Sequence, residues 1–196
     1  KTQPSTTKFE EVPETLSSDG AVDEAISGSN FIVNCLDEGQ LALIYRLNRS
    51  CLRTRTPWIT VAASGLEVVV GPTVYPGETA CYMCYRMRLV AGEESPEARY
   101  DFESFLDRRR TDDSTHRANL VTGPGVAAQI AVTDIVKQVG GLGQPTTRGR
   151  LQVFDHLRGE QPPARSPRLF AHECQGVHPL GLGQGVAAGT SGAGVP

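Results

Sequence analysis

Apolar and polar residues recur along this chain with two different periods. Phe31-Ile32-Val33-Asn34-Cys35 is a short apolar run, the pattern of a strand buried on both faces. Asp37-Glu38-Gly39 reads as the turn after it. Leu41, Ile44, Leu47 and Cys51 then repeat at helical spacing, which predicts an amphipathic helix over 40–53. Arg46 and Asn48 fall opposite that apolar stripe and read as its solvated face, and Pro57 closes the segment. Trp58–Ala63 is a second apolar run, Ser64-Gly65 a tight-turn signal, and Leu66–Val70 an antiparallel return. Strand, helix and strand within about 30 residues predict a βαβ unit, with strands 31–35 and 58–63 adjacent and parallel.

The flanking segments follow the same logic. Asp19 is placed to cap a short helix that carries Val22, Ala25 and Ile26. Ser95 caps another, with Pro96 at its first position and Phe102, Phe105 and Leu106 along one face. Thr122-Gly-Pro-Gly125 opens a long helix to about Val139, with an apolar stripe of Val126, Ile130, Ile135 and Val139, and Gly140-Gly141 end it. Leu151–Asp155 reads as a last strand. Residues 1–17 are polar and read as flexible, 18–158 as the folded domain, and 159–196 as a Pro- and Gly-rich disordered tail.

Composition narrows the function classes. A chain of 196 residues suits one α/β domain with a sizeable core. A formal charge of -3 gives no basic footprint for nucleic acid. No apolar run approaches the roughly 18 residues needed to span a membrane, and the first residues have no signal-peptide core. Five cysteines are an odd count, too sparse for a disulfide scaffold, which predicts reduced thiols in the cytoplasm. The chain starts without Met and reads as a fragment or a processed product.

The strongest chemical signal is Gly71–Cys84, GPTVYPGETACYMC, a glycine-proline loop running into the CxxC pair Cys81 and Cys84. Two thiols at that spacing on a turn can hold one metal ion with two further ligands, stand as a partly built site, or form a redox pair. Asp37 sits where a parallel strand ends, the place where open α/β sheets take ligands, and could equally cap the helix that follows. Cys35 and Cys51 fall on apolar positions and read as core. The run DRRRTDDSTHR is self-neutralising and reads as a solvated loop. His116 and His156 have no partner at readable spacing.

These segments together resemble the ThiF/MoeB family, the ubiquitin-activating-type adenylyltransferases. FIVNCLDEGQLALIYRLNRSC is similar to the family's strand-turn-helix, and WITVAASG to its next strand. CYMCYRMR, the segment FESFLDRRRTDDSTHRANLVTGPGVAAQIAVTDIVKQVGG and TTRGRLQVFDHL resemble a subgroup found in ribosomal-peptide azole and azoline pathways. The resemblance covers residues 30–158. It implies a Rossmann-like open sheet of mixed strands, with Asp37 and Asn48 as nucleotide-site residues and ATP with magnesium as cofactor. It also implies a structural zinc on Cys81 and Cys84, with Cys174 as a third ligand and His172 or His178 as a fourth.

Two departures shape the expectation. No glycine-rich turn precedes residue 30 to cradle phosphates, so the N-terminal nucleotide half is missing or incomplete. The second CxxC pair of the family is replaced by RLFAHECQGVHPLG, which reads as an altered C-terminus. The resemblance therefore implies two functions. One is a scaffold that presents a precursor (leader) peptide to a YcaO-type cyclodehydratase. The other is an ATP-dependent adenylyltransferase acting on a C-terminal carboxylate. Precursor peptide, cyclodehydratase and a second copy of the chain are the expected partners.

Overall fold

The computed structural model describes residues 18–36, 40–109 and 120–159, together with Lys8, Glu11 and Leu16. The first element is α1 (Asp19–Ile26), capped by Ser18, whose hydroxyl accepts from Ala21 N at 3.2 Å. Asp19 is thus the first helical residue and not the cap. Its carboxylate instead receives the Arg49 guanidinium of the next helix at 2.9 Å. Val22 and Ile26 turn inward, while Ala25 is exposed.

The predicted βαβ unit is present. Strand β1 (Ile32–Asn34) leads through α2 (Leu41–Thr54) to β2 (Trp58–Ser64), and β1 pairs parallel with β2. The apolar run of β1 is not buried on both faces, since Val33 is 42% exposed. Strand β3 (Glu67–Val74) returns antiparallel, and β4 (Gln152–Asp155) pairs antiparallel with β3. The open mixed sheet has the order β1-β2-β3-β4. Beyond β3 come α3 (Tyr82–Ala91), α4 (Pro96–Arg109) and α5 (Thr122–Gly140).

Side-chain alternation on the central strands gives each face its own core. Trp58 and Val74 join Leu43, Ile44, Leu47 and Cys51 of α2 on one face. Ile59, Val61, Val68 and Val70 meet Ala127 and Ala131 of α5 on the other. Full burial of Trp58 and Ile59 stabilises the domain by roughly 1.5–3 kcal/mol per side chain of this size.

In two helices the most deeply buried positions are not the large apolar residues. In α4, Phe102 and Phe105 are 41% and 44% exposed, and Glu103 is buried instead. In α5 the buried positions are Gly123, Ala127, Ala131 and Asp134; of the expected stripe, Ile130 packs against that core, Val126 and Ile135 are half-buried, and Val139 is 77% exposed. Small residues let α5 lie close against the sheet: a Cβ on Gly123 would stand 3.5 Å from Val68 Cγ2. Gly141 ends α5 in the left-handed conformation at φ 63°. Among the described residues, no helix is long and apolar enough to cross a membrane.

Candidate functional site

The CxxC pair is positioned from behind by a brace between distant segments. Strand β3 does not stop at Gly71 but continues through Pro72 to Val74. Gly71 has φ +97°, and a Cβ there would lie 2.4 Å from Arg150 O, so the two backbones touch and only glycine fits. Thr73 N donates to Thr147 O at 2.8 Å, Thr73 O accepts from Gly149 N at 2.9 Å, and the two hydroxyls are 2.6 Å apart. Thr79 then closes a turn: Tyr75 N donates to its Oγ1 at 2.8 Å, and Thr79 N donates to Tyr75 O at 3.0 Å.

The chain leaves that turn straight into Cys81, the N-cap of α3, with Cys84 in the first helical turn. The pair therefore stands at a helix N-terminus and not on a turn, in the setting where amide dipoles favour a thiolate. The sulfurs are 3.7 Å apart. Cys81 is fully buried and Cys84 half-buried. Two sulfurs each about 2.3 Å from one tetrahedral zinc lie about 3.8 Å apart, so the spacing fits one edge of such a site. Among the described residues, no group of three or more His, Cys, Asp or Glu could hold a metal. The thiols fit half of a ligand set, and Cys174, His172 and His178 lie outside the described residues.

Asn48 is drawn to this place and away from solvent. It is 3% exposed, which corrects the reading of its face as solvated, and its Oδ1 accepts from Tyr82 N at 3.0 Å. Arg46 is half-exposed, with its Nε 3.6 Å from Asp19 Oδ1. No sequence signal joined Asn48 to the CxxC segment, because the partners are 34 positions apart.

A second feature lies at the carboxyl ends of the parallel strands. Asn34 and Thr60 are register partners on β1 and β2, and both are buried. Asn34 Oδ1 accepts from Leu36 N at 3.3 Å, while Asn34 Nδ2 and Thr60 Oγ1 have no hydrogen-bond partner. Asp37, three residues on, lies outside the described residues, as does His116. On the α5 side of the same strands runs a groove of about 350 Å³, lined by Val33 of β1 and Cys35 just after it, Val61 and Ala63 of β2, and Ala127 and Ala131 of α5, among others. Its walls are aliphatic, with one thiol. Val132 and Val136 continue that surface along α5, at 55% and 51% exposure.

The remaining cysteines divide. Cys51 is core, as its position implies, and burial pushes its thiol up to about 12. Cys35 is exposed on the groove and not core, although partial desolvation still raises its pKa.

Two ionic groups that sequence reasoning missed hold the surroundings in place. The Arg86 guanidinium donates to Glu103 in a pair that is 7% and 9% exposed. Burial alone would lower the Arg86 pKa, but Tyr82 and the bond to Glu103 outweigh it and hold the group charged. On α5, the buried Asp134 carboxylate receives the backbone amides of Thr146 and Thr147 at 2.9 and 2.8 Å, and both hydroxyls. It thereby fixes the loop that clamps Thr73.

Comparison with known proteins gives a consistent picture. A model of the ThiF family matches residues 2–176. No curated protein sequence matches the chain. Among solved structures, E. coli MccB with ATP superposes with a TM-score of 0.60 at 18% identity over 81% of this chain. The microcin C7 biosynthetic enzyme MccB in complex with N-formylated MccA gives 0.61 at 20% identity over 80%. The heterocyclase TruD gives 0.55 at 23% identity over 74%. The chain spans 42% of the length of those MccB chains and 23% of TruD.

Proposed function

The chain belongs to the ThiF family, and from that premise we propose that it is a ThiF-like scaffold of a peptide-heterocyclisation complex. It would present a precursor (leader) peptide to a YcaO-type cyclodehydratase, the enzyme that closes azoline rings. The observation that carries this reading is the aliphatic groove between α5 and the β1–β2 pair, continued by Val132 and Val136. Triphosphates call for several amides and a fixed cation. An aliphatic groove is instead desolvated by the apolar side chains of another polypeptide. The fold shared with MccB, solved with N-formylated MccA, and with the heterocyclase TruD agrees with a role in peptide modification.

Cys81 and Cys84 are proposed to hold a structural zinc, which clamps the start of α3 and carries out no reaction. A redox role fits less well, because Cys81 is fully buried and exchange would have to go through the half-buried Cys84. The reduced pair is consistent with a cytoplasmic location.

A second reading is adenylation of a C-terminal carboxylate with magnesium-ATP. It is favoured by the parallel β1–β2 pair, since open sheets take ligands at the carboxyl ends of such strands. The two readings separate in one set of measurements. The scaffold predicts no ATP–pyrophosphate exchange by this chain, and calorimetric binding to the cyclodehydratase that Val132→Glu weakens at least about tenfold, or 1.4 kcal/mol. Robust exchange that Asp37→Ala abolishes would reverse the assignment.

A further inference from the structure

We propose that Asn48, a side chain of α2, is the positioning residue that sets the separation of the Cys81 and Cys84 thiols. The inference rests on the reading of that pair as a metal site. It gives Asn48 a role in which it touches neither metal nor nucleotide.

The case begins with what α3 lacks. Its N-cap residue is Cys81, and no side chain of its own segment caps it. The first amide of a helix has no partner within the helix, and leaving it buried and unpaired is costly. Asn48 supplies the acceptor from another element, at 3.0 Å from Tyr82 N. That amide belongs to the peptide joining Cys81 to Tyr82, so the bond fixes the backbone immediately after Cys81. On the far side of the turn, Cys81 O accepts from Tyr85 N at 3.2 Å, one residue past Cys84. The two bonds therefore bracket the turn that sets the distance between the sulfurs.

The donor and the acceptor are themselves held. Tyr82 packs its ring 5.6 Å from Trp58 and 6.2 Å from Tyr45. Asn48 is one of the buried positions of α2, with Leu47, Ser50 and Cys51. Water has little access, since Asn48 is 3% exposed and Cys81 is fully buried. The chemistry also favours an amide. A metal-bound pair carries thiolate charge, and an uncharged acceptor caps the helix without adding a further anion beside it.

The test uses the full chain with cobalt(II), whose thiolate charge-transfer absorption reports sulfur ligation directly. Asn48→Ala should weaken cobalt binding about 10–100-fold, the range for loss of an outer-shell partner, and should speed hydrogen exchange at the Tyr82 amide. Asn48→Asp keeps an acceptor and should restore Tyr82 protection. Leu47→Ala, a core truncation on the same helix, should lower stability and leave cobalt affinity within about threefold. Equal weakening by Asn48→Ala and Leu47→Ala would mean that Asn48 only supports the fold, and would overturn the inference. Unchanged affinity in Asn48→Ala would also overturn it.

A wild-type chain with no thiolate–cobalt band would sink the metal reading alone. Asn48 is then judged by the equilibrium of a Cys81–Cys84 disulfide with glutathione. Asn48→Ala shifts that equilibrium about tenfold if Asn48 sets the sulfur separation, and an unshifted equilibrium refutes it.

Discussion

Replacing Asp134 by Asn exchanges one oxygen for an NH2 group at a carboxylate 2% exposed. Each carboxylate oxygen accepts one backbone amide that cannot turn away: Thr146 N on Oδ1 and Thr147 N on Oδ2. The two threonine hydroxyls can rotate and become acceptors. The amides cannot, and the single oxygen of Asn can serve only one of them. The other N–H then faces a donor in a buried site, which costs about 1–3 kcal/mol, and the surviving bonds lose charge assistance worth roughly 1 kcal/mol. A total of about 2–4 kcal/mol follows. Urea unfolding can be read by the fluorescence of Trp58, the single tryptophan of the chain. With a slope near 2 kcal/mol per molar, typical of a small domain, the midpoint should fall by about 1–2 M at pH 7.

The pH dependence gives a second handle. Burial alone would raise the Asp134 pKa, but the bonds from Thr147 and Thr146 outweigh it and hold the carboxyl below its ordinary 3.8. A depressed folded pKa means that the stabilisation is fully present above the unfolded value and is lost as pH falls through the folded one. The Asn variant has no such titration, so the gap between the two proteins should narrow below about pH 4. A midpoint shift under about 0.2 M at pH 7, or a gap that widens in acid, would refute the reasoning.

Arg86→Ala strands the Glu103 carboxylate in a buried place with, among the described residues, Arg99, 2.6 Å away and partly exposed. The same unfolding assay should record a loss of about 3–5 kcal/mol, and the double variant Arg86→Met with Glu103→Leu should recover most of it. No recovery would mean that packing, and not charge, set the cost. Under native conditions a maleimide should label Cys35 before Cys51, because Cys35 is exposed while Cys51 is buried with its thiol raised to about 12. Peptide mapping that finds Cys51 modified first would contradict the described core.

The parts of the fold that were legible in the sequence share one property: size and period agreed. The run from Phe31 to Cys35, the Leu41–Cys51 stripe and Trp58–Ala63 gave β1, α2 and β2 with their parallel pairing. Where large residues faced outward the reading failed. The innermost positions of α5 are Gly123, Ala127, Ala131 and Asp134, chosen for close approach and not for apolar area, so a stripe read from Val126, Ile130, Ile135 and Val139 missed them. The same applies to α4, where Glu103 goes inside because Arg86 awaits it. The CxxC spacing was plain. Its supports were not, because Asn48 to Tyr82 and Thr73 to Thr147 are contacts between residues far apart in the chain.

The clamp from Thr73 to Thr147 spans 74 positions, and this sets an order of events during synthesis. At about 5–20 residues per second, the segment carrying Cys81 and Cys84 leaves the ribosome roughly 3–13 s before the loop that holds β3 behind it. Through that interval the thiols belong to a chain whose turn lacks the brace from Thr147 and Gly149. The entropic cost of closing so long a loop grows only logarithmically with its length, but contacts of this range form late and slowly. The cysteines are thus made early and framed late, and any metal they take up before α5 is complete must be captured by a turn still searching for its shape.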